Sequence, residues 1–479
     1  MRVSERYELN RTQGELDFVD ANVRGDTPLY IDPQAVRQLP GDWAHTCVAY
    51  MQDFFTAVLG AINESDDRTA RVLLRGLREP NETHLGLSRG TKARGRALGP
   101  GSADAVWLAL KASAAARSGL LVNLEDTALL VEGIGPDIVS DITTNLIRLP
   151  LVEYTQEMCS QHGIPMLPNV WVGLIWDPAK ESWTNETRAS LPMVSGRRLL
   201  LVPKAIVRRK MEYDAREYYG DFIIPFLESE EIRAGSSLVR VLKKRRTRYV
   251  TKKDLQAKYG ADKAAIVRLT LQNSDLLSRY KQSKDTAPVR RIDAGALDGA
   301  TGSLPPSYDA LAGDVISVKP GPTGADAYHN AVERLLSALF SASLVMPAKE
   351  YPIHNGRKRI DIRYINAGGG FFGWVAANYP AANIFVECKN YSGDPANPEL
   401  DQLAGRFSTS RGKFGILVCR RFKDKRLFME RCRDTAKDDR GFIIALDDDD
   451  LRALSAFALD GDSQLTYRLF MDRFQFLLS

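Results

Sequence analysis

The chain has 479 residues, 44% hydrophobic and 26% charged, with 36 glycines and 23 prolines; these globular proportions exclude collagen-like, mucin-like and wholly disordered classes. Lys and Arg outnumber Asp and Glu by 65 to 60, a surplus that permits a nucleic-acid partner without demanding one. No apolar run approaches the ~20 residues of a membrane span, the opening MRVSERYELN has no apolar signal core, and Cys47, Cys159, Cys388, Cys419 and Cys432 form no C-x-x-C pair, which fits a reducing, cytoplasmic setting away from membranes.

In chain order, DTPLYIDPQAV (26–36), DTALLVEGIG (126–135), NVWVGLIWD (169–177) and GRRLLLVPKAIV (196–207) read as strands bounded by turn residues. DWAHTCVAYMQDFFTAVLGAI (42–62) and SADAVWLALKASAAARSG (102–119) read as amphipathic helices. A further helical stretch covers 140–163, with Pro150 as the expected break. RALGPGSAD (96–104) reads as a turn into a helix start. EGIGPDIVSDITTN (132–145) has two glycines but no Gly-Lys-Ser/Thr, so a Walker site is unsupported; Pro136 and Asp137 suit a helix N-terminus. The first 240 residues are therefore expected to be mixed α+β.

From 241 to 283 the chain turns basic and helical. VLKKRRTRYV precedes a helix opened by Thr251-x-x-Asp254 and stopped at Gly260, with a second helix after it. A helix-turn-helix and a plain solvated helical pair both fit. The stretch 284–324 is rich in Gly, Pro, Ala, Ser and Asp without apolar period, and reads as a linker.

Beyond 324 the pattern is regular. A helix over 326–343 places Tyr328, Val332, Leu335, Leu336, Leu339 and Phe340 on one stripe. Strands are expected at 358–365, 383–389, 413–419 and 441–446, and helices at 398–409 and 422–437. The expected order α-β-β-β-α-β-α-β, one strand more than the four placed here, implies a mixed sheet flanked by helices, an α/β class. Between the strands at 358–365 and 383–389, Phe371, Phe372 and Trp374 lie in a Gly-rich insert, either a flexible loop that stacks on nucleic acid or a hairpin tip packed on the body.

Polar residues interrupt two of these strands. Asp361 lies between Ile360 and Ile362, and Glu387 and Lys389, two apart, share one strand face. Carboxylates beside an ammonium at a strand end suit a hard divalent cation with a cationic helper; an ion pair tying two strands together fits the same residues.

Asp361 followed by Glu387-Cys388-Lys389 in IFVECKNY resembles the PD-(D/E)XK nuclease superfamily, closest to its Mrr-like branch, over roughly 324–450. Ile360 stands where many members have Pro, and the 26 positions between Asp361 and Glu387 exceed a tight hairpin. The resemblance implies a restriction-endonuclease-like domain over 325–479. It implies Mg²⁺ or Mn²⁺ held by Asp361, Glu387 and the backbone carbonyl of Cys388, with Lys389 as catalytic lysine. Glu333 matches a Glu often found on the first core helix. Gln402 matches a polar position after the Glu-x-Lys strand, although its helical wheel sets it opposite Leu400, Leu403 and Ala404. Arg359 and Arg363 flank Asp361 and are candidate substrate contacts.

The expectation is a metal-dependent endonuclease acting on DNA, with RNA not excluded, of the kind found in restriction or antiphage defence. Its residues 1–240 would recognise a target, partner or trigger, and a homodimer or a defence-complex partner protein is expected. A non-catalytic nucleic-acid-binding or sensory subunit is the alternative.

Overall fold

The computed structural model describes residues 1–86, 100–242, 247–287, 291–391 and 393–479. Residues 96–99 of the 96–104 turn and the centre of the 240s basic run lie outside these residues; from 100 onward that stretch is helical, as Pro100–Ala112.

The N-terminal region is mixed α+β, with helices around small two-stranded ladders. Its longest helix, Asp42–Asn63, buries Cys47, Met51, Phe54, Phe55 and Val58. Several elements depart from expectation. Only Tyr30–Ile31 of the first expected strand is extended; Asp32 then caps a helix with Pro33 in its first turn, its side chain accepting from Gln34 N at 2.9 Å. Asp126–Leu130 is a helix rather than a strand. It is buried throughout, and a short apolar run has no period to separate the two forms. The 196–207 run keeps only Arg197–Arg198 and Val207 in ladders. Pro150 does not break its helix. The break falls at Ile147, between Pro136–Leu146 and Arg148–His162, and Pro150 lies in the first turn of the second helix, where no intrahelical donor is lost.

The helices Lys252–Tyr259, Lys263–Gln272 and Asp275–Thr286 contribute Leu255, Ile266, Leu269, Leu277 and Tyr280 to the N-terminal core. Thr251 caps the first of them, accepting from Asp254 N at 3.2 Å. The 284–324 stretch is not an open linker. It holds the helices Ala294–Thr301 and Tyr308–Ser317. Leu297 joins the N-terminal core, while Leu311, Ala312 and Val315 join the C-terminal one. Glycines and alanines hide this period because only one apolar contact per turn is large.

The C-terminal domain has a five-stranded mixed sheet. Helix α1 (Ala325–Leu339) leads into β1 (Leu344–Ile353), a strand outside those expected from the sequence, and β2 (Lys358–Asn366). Helix α2 (Gly370–Asn378) precedes β3 (Asn383–Lys389), and α3 (Asn397–Ala404) precedes β4 (Phe414–Cys419). Then come α4 (Lys425–Lys437), β5 (Phe442–Leu446), α5 (Asp448–Leu459) and α6 (Ser463–Leu478). The spatial order is β1-β2-β3-β4-β5, with the first three strands antiparallel and the last three parallel. The parallel joins require crossovers, which α3 and α4 supply.

Tyr328, Val332, Leu335 and Leu336 are fully buried where α1 packs on the sheet. Every residue of β4 is buried, as expected for a central strand covered on both faces. The insert after β2 is a packed helix, not a loop: Phe371 and Phe372 are buried, and Phe371 lies 5.2 Å from the Phe470 ring.

The two regions share core and charge contacts. Val345, Met346, Ile365 and Ala367 belong to the N-terminal core. Asp17 accepts from Met346 N at 2.8 Å and from Tyr154 Oη at 2.6 Å, and Arg334 Nη2 pairs with Glu15 at 2.7 Å.

Candidate metal and acid–base site

The site lies where β2 and β3 part. Their ladder runs from Ile365 with Asn383 to Ile362 with Val386; extended by one residue, that register sets Asp361 opposite Glu387. Facing residues of an antiparallel pair point to the same side, so both carboxylates share a face. Beyond this point Cys388 N donates to Asp361 Oδ2 at 2.7 Å. A side chain thus takes the place of a strand carbonyl, which lets the strands diverge.

Glu387 is completely buried. Its Oε1 accepts from Lys389 Nζ at 2.8 Å and from Gln402 Nε2. Its Oε2 is buried without a hydrogen-bond partner. Burial pushes the carboxyl above the usual range, the charge of Asp361 pushes the same way, and Lys389 opposes both. Lys389 Nζ also donates to Gln402 Oε1 at 3.1 Å. Gln402 therefore belongs to the site although it is exposed and faces away from the apolar side of α3: that outer face meets the carboxyl end of β3, which a helical wheel cannot register.

Sequence reasoning misses His329. It stands one turn before Glu333 on α1, and its Nε2 lies 3.6 Å from Asp361 Oδ2. That spacing is the only signal the sequence offers, since a single histidine outside the apolar stripe has many roles. His329, Asp361 and Cys388 offer ligand atoms within 4.8 Å of one another. The Cys388 thiol is held well above its ordinary pKa by burial and then by Asp361 and Glu387, so it stays protonated and unsuited to a hard cation.

Glu333 goes elsewhere. It is 1% exposed, accepts from Ser337 Oγ at 2.9 Å and lies 3.4 Å from Arg11 Nη1 of the N-terminal region. It thus ties the two regions together, while His329 is the α1 residue that contacts Asp361. Arg359 is largely exposed, 3.8 Å from Glu350. Arg363 lies over the Tyr351 ring at 4.5 Å.

Asp361, Glu387 and His329 are side chains of the types a divalent cation takes as ligands. One Glu387 oxygen is buried without a partner and His329 stands beside Asp361, but the ligand atoms that come within 4.8 Å of one another are those of His329, Asp361 and Cys388. Among the described residues no helix is long and apolar enough to cross a membrane.

A family model described as a domain of unknown function, DUF8370, matches residues 8–214. It covers most of the N-terminal region and none of the site above. No curated protein and no solved structure matches the chain.

Proposed function

We propose that the C-terminal domain is a metal-dependent endonuclease of the PD-(D/E)XK type that hydrolyses DNA phosphodiester bonds, and that the DUF8370 region senses a target, partner or trigger. The observation that carries this reading is the grouping of Asp361, Glu387 and Lys389 at the parting of β2 and β3, with Lys389 Nζ 2.8 Å from Glu387. Asp361 and Glu387 are the oxygen donors for Mg²⁺ or Mn²⁺, with His329 beside them. The bound ion would acidify a water and neutralise phosphate charge. Lys389 holds an ammonium where the attacked phosphate gains negative charge, and that pre-set charge favours the transition state. Gln402 positions both Lys389 and Glu387 through its two amide atoms.

The reading is tested with supercoiled plasmid, Mg²⁺ or Mn²⁺, and wild type beside Asp361→Ala and Lys389→Ala. Nicking by wild type alone supports it. DNA binding without cutting by any of the three chains supports a non-catalytic nucleic-acid-binding subunit instead.

A further inference from the structure

The active-site face of β2 continues past Asp361 into a cleft of about 460 Å³ between the two regions. Its sheet wall carries Arg363, two residues beyond Asp361 and so on the same face, roughly 7 Å along the strand. Arg411, from the turn after α3, lines it as well, and the Asp42–Asn63 helix presents its N-terminus from the opposite side through Gly41, Asp42 and Trp43.

Two guanidiniums here carry an unpartnered nitrogen. The Nε atoms of Arg363 and Arg411 are both buried without a hydrogen-bond partner. Arg363 rests on Tyr351, and Arg411 donates to Arg406 O at 3.2 Å. Asp42 and Glu157 also line the cleft, and with Asp17 they act on Arg363 from a distance; among the described residues no carboxylate comes within 4.0 Å of either guanidinium. A half-desolvated guanidinium whose counter-charges stand off has room for an anion placed directly against it. The adjoining helix N-terminus, capped by Gly41 with no side-chain acceptor and carrying Asp42 in its first turn, favours the same sign of ligand.

Resting on the nuclease reading, we infer that this cleft binds a backbone phosphate of the DNA strand next to the one being cut, with Arg363 and Arg411 as its ligands. The N-terminal region would then shape the substrate path directly, because it builds half of the cleft.

The test is equilibrium binding of a fluorescent 20-base-pair DNA duplex to the full chain in EDTA, across a salt series. Deleting one cation that touches a phosphate lowers the salt slope by about 0.9. The Arg363→Gln/Arg411→Gln chain is expected to bind at least about tenfold more weakly, with a slope lower by about two. If that double variant fails to fold, Arg411→Gln alone, on a surface turn, is expected to lower the slope by about one. An unchanged affinity and slope in a chain whose wild type binds and cuts DNA overturns the cleft and leaves the nuclease reading standing. A wild type that neither binds nor cuts the duplex overturns both.

Discussion

Two groups of neighbouring carboxylates lie in different halves of the molecule and keep different company. Asp141, half-buried on the Pro136–Leu146 helix, has its carboxyl pushed from the ordinary 3.8 to about 7 by burial and then by Glu79, Asp137 and Asp26. Among the described residues no cation figures in that shift, and a proton relieves the crowding. Glu387 is also raised by burial and by a neighbouring acid, but Lys389 and Gln402 sit against it and His329 against its neighbour Asp361. Crowded acids that simply take up a proton need no ligand. Crowded acids held beside a fixed ammonium, with one oxygen left open, are what the proposed cation site would need.

The sharpest way to break this contrast is to neutralise one acid in each group. Glu387→Gln is expected to cut metal-dependent nicking by at least about a hundredfold, whereas Asp141→Asn is expected to stay within about twofold of wild type. Equal losses in plasmid assays would erase the distinction. Next in size is Gln402→Ala, which removes the amide that orients Lys389 and Glu387; a loss of about ten- to a hundredfold in rate or metal affinity is expected, with the fold intact by circular dichroism.

The C-terminal site is readable because its chemistry interrupts regular strands. Asp361, Glu387 and Lys389 break apolar runs whose bounds the sequence locates to within a residue, and β3 is located at both ends. His329 and Gln402 are harder because their roles depend on how two helices dock, α1 against β2 and α3 against the end of β3, which no local period records. Glu333 shows the same limit: its spacing suits the site, but Arg11, over three hundred residues earlier in the chain, engages it. In the N-terminal region the ladders are two to five residues long, too short for a period-of-two signal, and the 126–135 run, helical only over Asp126–Leu130, reads as a strand because a short apolar run has no period to separate the two forms.

Smaller effects sharpen the contrast at the contact between regions and at Asp141. Arg11→Ala leaves buried Glu333 with Ser337 but without its guanidinium, and is expected to lower stability by about 1–3 kcal/mol in urea unfolding, with partial recovery in Arg11→Lys. Asp141 carries the smallest expected effect. Between pH ~4 and ~7 the folded chain holds a proton there that the unfolded chain has released, so stability falls as pH rises across that window. Asp141→Asn removes this loss, and its Tm is expected to exceed wild type by a few degrees at pH 8 and by less at pH 4.

The most direct measurement is Mn²⁺ binding followed by electron paramagnetic resonance, in which bound ion is lost from the free-ion signal. Wild type is expected to remove Mn²⁺ from that signal in proportion to protein, Asp141→Asn to do the same, and Asp361→Ala to leave the signal at its buffer level. Equal binding by wild type and Asp361→Ala, or none by wild type, would contradict a cation site between β2 and β3.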